Sequence, residues 1–312
     1  MRVTDTGANR SFLLDVNRQR EALDRATSEL YTGSKLQRPS DDPFGAERVM
    51  QLKAEQSRNE QYLTNGRQAL DQLSHTDAVI EQVQLVLNKT MALTSQGASA
   101  AATPSLRSAL ATQVKGIKDQ LLSLANTAVQ GKPLFAGTMT NVTPFAVNAV
   151  TGAIDYAGNS DAIMTRVDDT TLVQTNVTGD ELFAGATFTS TFTDVNNNVV
   201  TSGDVFDVLD SIQQALTNDD TAALLTGLDD LRAAVDQTDV VRSEVGATLN
   251  HLDSQQERVT DENLRLLADQ TGYEAADQVG AIVRLNESQT ALQATLGANA
   301  RVVRLSLLDY LR

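Results

Sequence analysis

The 312-residue sequence contains no cysteine, which removes disulfides, thiolate metal sites and cysteine nucleophiles at once. Tryptophan is also absent, and aromatic residues make up only 4% of the chain. That scarcity suits helix seams better than a thick globular core. Basic residues are few: 25 Lys and Arg face 40 Asp and Glu, for a formal net charge of -15. No basic cluster offsets that acidity, which argues against nucleic acid and against an anionic membrane surface. Nowhere do 18 apolar residues run together, and Met1 to Gly7 has no apolar h-region, so neither Sec targeting nor membrane spanning is expected. His75 and His251 each lack a second histidine at i+3 or i+4, the spacing a helical metal site needs. No P-loop, dinucleotide fingerprint, metalloprotease motif or nucleophile elbow occurs, so neither an enzyme nor a cofactor is expected. Asp194-Val-Asn-Asn-Asn198 opens like a calcium loop, but Val199 replaces the required Gly and Val205 the required Glu, which leaves a hairpin turn.

What the chain has instead is helical periodicity. Residues 9–32 space Phe12, Leu13, Val16, Leu23, Ala26 and Leu30 along one helix. Gly33 can end that helix, Pro39 extends Arg38, and Asp42 before Pro43 reads as an N-cap with Pro at N1, so Pro39, Asp41, Asp42 and Pro43 form a helix-loop-helix joint. A 4,3 series follows at 63, 66, 70, 73, 77, 80, 84, 87 and 91, with Gly66, Asp77 and Gln84 as its non-apolar members. Pro104 opens a further helix carrying Leu106 to Ala128, which doubles back as a helical hairpin. From Leu224 to Leu266 a second 4,3 series has Leu or Val at nine of thirteen places, the exceptions being Thr238, Arg242, Gln256 and Asn263. Polar residues in such a seam can fix register. The helical pattern weakens at 269–272 before the terminal segment, where Ile282, Leu285, Leu292, Leu296 and Val303 form a 3.5-residue seam and Leu307, Leu308 and Leu311 close the chain. Chain ends usually read as polar. An apolar terminus calls for a partner, and the first helix is the candidate.

Between the helical halves, 132–202 has short β-like pieces at 134–137, 144–147, 153–156 and 163–167, and a hairpin across Asn196 to Asn198. The expected organisation is thus 1–42 with 272–312 as a terminal helical domain, 43–131 with 203–271 as a helical rod, and 132–202 as a β-rich insertion.

Three stretches carry a family resemblance. Leu30-Tyr-Thr-Gly-Ser-Lys-Leu-Gln-Arg-Pro-Ser-Asp-Asp-Pro-Phe-Gly-Ala46 resembles the first-helix joint of bacterial flagellins and flagellin-like hook-associated proteins. Its Pro-Ser-Asp-Asp-Pro form, and Gly131-Lys-Pro-Leu-Phe-Ala-Gly-Thr138 with Pro144-Phe145, are more similar to hook-filament junction proteins. Leu296-Gly-Ala-Asn-Ala-Arg-Val-Val-Arg-Leu-Ser-Leu-Leu-Asp-Tyr-Leu311 looks flagellin-like in general.

The resemblance implies a mainly α fold: an elongated flagellin-like rod of antiparallel coiled coils, with paired terminal helices and a small β-rich insertion. It further implies an extracellular flagellar component, exported unfolded by the flagellar type III apparatus and joining hook-associated protein 1 to flagellin in a ring of its own copies. In that family the termini lack order in the free subunit, and an export chaperone would bind the C-terminal segment. A short flagellin building the filament itself is the alternative.

Overall fold

A computed structural model describes the backbone of residues 2–150, 152–184, 190–193 and 199–310, and side chains over 10–150, 152–184 and 203–298. The chain is mainly α, as the periodicity predicts. Its elements are α1 (Arg2–Thr32), α2 (Pro43–Ala98), α3 (Pro104–Ala125), β1 (Ala128–Val129), β2 (Lys132–Pro133), β3 (Phe145–Val147), β4 (Ile154–Tyr156), β5 (Met164–Arg166), β6 (Leu172–Gln174), α4 (Gly179–Phe183), β7 (Ser190–Thr193), β8 (Val199–Ser202), α5 (Val205–Thr217), α6 (Thr221–Glu274) and α7 (Gln278–Tyr310). Among the described residues no helix is long and apolar enough to cross a membrane. Two compact units result: Met1–Arg58 with Asp261–Arg312, and Asn59–Thr260.

Local chemistry sets the helix ends. Asp42 Oδ1 accepts from Gly45 N at 3.0 Å, and Pro43 occupies the first helical position, where its missing N–H has no role. Thr103 Oγ1 accepts from Leu106 N at 3.3 Å and Pro104 follows it. Gly33 has φ +67, the left-handed conformation that closes α1.

In the second unit α2, α3, α5 and α6 bury Leu73, Ile80, Leu87, Leu110, Leu121, Leu209, Ile212, Leu224 and Leu252 in one core. Five of the aromatics pack together. Phe183 packs on Phe145 with ring centroids 5.1 Å apart, on Phe135 at 5.6 Å and on Phe206 at 5.7 Å, and Phe145 meets Tyr156 at 5.0 Å. Each such pair contributes about 0.5–1.5 kcal/mol beyond its buried area. Phe135, Phe145, Tyr156, Phe183 and Phe206 thus form one dense cluster, where the β segments leave the helices.

The strands form four antiparallel two-stranded pairs, β1–β2, β3–β4, β5–β6 and β7–β8. The last joins Thr193 to Val199 and Ser190 to Ser202; the expected turn at 194–198, with 187–189, lies outside the described residues.

Three expectations differ from the structure. Ala128, expected on the helix that Pro104 opens, lies in β1, because α3 ends at Ala125 with Asn126 as its C-cap. The segment 134–137 is not a strand. Leu134, Phe135 and Ala136 are buried as a plug, and the Phe135 carbonyl accepts from Gly179 N at 2.9 Å and Tyr156 Oη at 2.8 Å rather than from a ladder. Nor does α6 stop near Gly272. It continues to Glu274, where Gln270 Nε2 donates to Glu274 Oε2 at 2.8 Å, and the break comes only at 275–277.

Candidate assembly interface

In the first unit α1 lies antiparallel to α7. Arg284 Nη2 donates to Glu29 Oε2 at 2.7 Å across the pair. On α1 the inward stripe is Phe12, Val16, Gln19, Leu23, Ala26 and Leu30, with Val16 and Ala26 buried and the others half-buried. This stripe contains every residue expected of that seam except Leu13, which is 60% exposed.

On α7 the stripe differs from expectation. Ala281 is fully buried, and Leu285, Ser288, Leu292 and Thr295 follow it at 4,3 spacing as half-buried residues. Ile282 and Leu296, expected inside, are 49% and 46% exposed. Small side chains at 281, 288 and 295 give a narrow inward face, and a search weighted toward large apolar residues passes over them. Val303, Leu307 and Leu308 lie on α7 beyond the described side chains, and Leu311 lies outside the described residues. The pair therefore turns Leu13, Leu14, Val279, Ile282, Val283 and Leu296 outward. Val279 is 74% exposed, on the turn where α7 begins.

The joint residues sit beside the break between α6 and α7. Arg38 N donates to Asp41 Oδ2 at 3.0 Å and Asp41 N to the Arg38 carbonyl at 2.9 Å, turning the chain at Pro39 toward the Asp42 cap and Pro43. The two crossings are bonded to each other: Ala276 N donates to the Gly33 carbonyl at 2.9 Å, and Lys35 N to the Glu274 carbonyl at 2.8 Å. Lys53 Nζ donates to Glu274 Oε1 at 2.7 Å, and that bond holds the Glu274 carboxyl below its ordinary value. Tyr31, 92% exposed, and Phe44, 78% exposed, flank the joint.

Charge divides unevenly between the units. The first holds 15 Lys and Arg against 16 Asp and Glu, a net -1; the second holds 10 against 24, a net -14. The unit that contains the α1–α7 pair is thus nearly neutral. Like copies can approach through it without the repulsion that a strongly charged surface imposes.

Residues 6–140 match the model of the bacterial flagellin N-terminal helical region. The flagellar hook-associated protein 3 of Escherichia coli is 28% identical over 290 residues, covering 89% of this chain and 90% of that protein. The protein of the same name from Salmonella typhimurium is 30% identical over 160 residues, 51% of this chain and 49% of that one. Among solved structures, a flagellar hook-associated protein of Vibrio parahaemolyticus aligns with TM-score 0.65 at 21% identity, over 75% of this chain and 100% of that one. The hook-associated protein-3 of Legionella pneumophila aligns with TM-score 0.61 at 17% identity, over 71% and 97%. These two share the fold. Residues 6–140 of the chain thus match a bacterial flagellin N-terminal helical region, and the relatives it is similar to are flagellar hook-associated proteins.

Proposed function

We propose that this chain is a structural component of the bacterial flagellum, which joins the hook, through hook-associated protein 1, to the flagellin filament. It assembles into a ring of its own copies through the outward faces of α1 and α7, with α1 and α7 as its coiled-coil elements. The observation that carries this reading is the α1–α7 pair with apolar side chains on both its inner and its outer faces, in the nearly neutral unit. A two-helix pair that stayed alone in water would have a polar outer face. The relatives named flagellar hook-associated protein 3 support the location at the junction. Export by the flagellar type III apparatus, aided by a chaperone at the C-terminal segment, belongs to the same reading.

The test is complementation of a strain lacking its own junction protein. The intact chain restores attached filaments and swimming. The double substitution Val279→Ser and Ile282→Ser leaves the monomer's helix content unchanged but abolishes attachment, because each alcohol removes apolar area that association would bury. Full swimming by the double variant would refute the interface. Long filaments grown from the purified chain alone would favour the short-flagellin reading.

A further inference from the structure

The α2–α6 pair of the second unit contains a polar cluster that an apolar seam does not need. Within this unit the α2 series is interrupted by Gly66, Asp77 and Gln84, and the α6 series by Thr238, Arg242 and Gln256. The fold brings these interruptions together. Arg242 donates from Nε to Asp77 Oδ1 at 3.0 Å, from Nη1 to Gln84 Oε1 at 3.0 Å and from Nη2 to Glu81 Oε2 at 2.9 Å. Gln84 Nε2 in turn donates to Asp239 Oδ1 at 2.6 Å. Farther along, the Gln256 side chain lies over Gly66, where an added Cβ would stand 3.3 Å from Gln256 Nε2. Thr238 is fully buried and satisfied within its own helix, donating to the Ala234 carbonyl at 2.6 Å.

Elsewhere the two seams are Leu, Val, Ile and Met91, and aliphatic heptads pack almost as well one heptad out of place. Such a slip would set Asp77 against Val235 or Leu249, leaving a carboxylate among aliphatic side chains with no donor. The Arg242 side chain is 35% exposed, so its ion pairs add little net stability. Their strength lies in what they penalise.

We propose that Arg242 is the specificity-determining residue of the α2–α6 pairing, selecting one register against the adjacent heptads. This holds whether or not the chain assembles. Because the chain has no cysteine, Ser74→Cys with Ser243→Cys gives a single spin-label pair, at exposed positions outside the network. In an otherwise unaltered chain one inter-label distance is expected. The Arg242 and Asp77 side chains are 35% and 30% exposed, so water can solvate the carboxylate that Arg242→Met leaves unpaired; that variant keeps its helix content and adds a second population slipped along the pair by about 10 Å, the length of seven helical residues, with a different inter-label distance. A single unchanged distance in that variant overturns the proposal. The charge swap Asp77→Arg with Arg242→Asp guards against general misfolding: recovery of the single parental distance supports the proposal, and two populations overturn it.

Discussion

Asp204 caps α5, its Oδ1 accepting from Asp207 N at 2.8 Å. Burial first, and then the Asp207 carboxylate, push its carboxyl from the ordinary 3.8 up to about 7. The folded chain therefore keeps a proton that the unfolded chain releases between these values, and stability falls as pH rises across that window, levelling off above it. Asp204→Asn retains a capping oxygen without the charge. It should flatten that part of the pH dependence and, at pH 8, stabilise by on the order of 1 kcal/mol. Urea denaturation at pH 5 and pH 8 measures this, and an unaltered pH dependence would count against it. Asp204 was not legible as a special residue in the sequence, because its neighbours matter only once α5 is buried. The same holds for Gly137, at φ +66, where a Cβ would collide with the Asn159 carbonyl. Gly33 was legible, since what it does depends only on the helix it ends. Ala281, the most buried residue of its helix face, was overlooked because small size is a weak signal.

Among the elements, the β5–β6 hairpin shows how a non-local contact escapes a linear reading. Its tip carries Val167, 2% exposed, in a cleft of Leu63, Gly66, Leu252 and Val259. Around it Tyr62 Oη donates to Asp169 Oδ1 at 2.9 Å, Asn65 Nδ2 to the Arg166 carbonyl at 2.9 Å and Gln255 Nε2 to Asp168 Oδ2 at 2.7 Å. Val167→Ala should lower stability by about 1–2 kcal/mol through lost methyl burial and the space it leaves. A chemical-denaturation midpoint shifted at constant slope would show this, and a midpoint unchanged would mean the hairpin does not brace the helices. The helices themselves were readable: Asp42-Pro43, Thr103-Pro104 and Gly33 mark their limits by local chemistry, and the 4,3 series mark their faces. The β6 strand and the short α4 were not, because Val173 and Phe183 are apolar for the sake of residues distant in sequence. On α7 periodicity found a helix but mixed its inner and outer faces, since both are apolar.

At the scale of the molecule, burial is unequal. The second unit closes one continuous core around its aromatic cluster, whereas α1 and α7 bury Val16, Ala26 and Ala281 along their shared stripe. Local opening follows the number of buried apolar contacts, so amide exchange should be faster in α1 and α7 than in α2 and α6 between 70 and 90 and between 231 and 252. Equal protection would mean that the terminal pair is stable alone and has no need of further copies. The resemblance implied termini without order in the free subunit; in this single chain they are helical and side by side, so exchange rates will separate a marginal pair from a firm one.

The two crossings beside the joint have a mechanical meaning. The chain passes between the terminal helices and the long helices twice, at 33–42 and at 275–277, and the two passages are stitched by backbone bonds from Ala276 to Gly33 and from Lys35 to Glu274. Twisting applied to α1 and α7 is carried by two covalent strands in parallel, with hydrogen bonds loaded in shear between them. Neither strand can unwind without dragging the other, so the joint resists torque as a two-ply cord does.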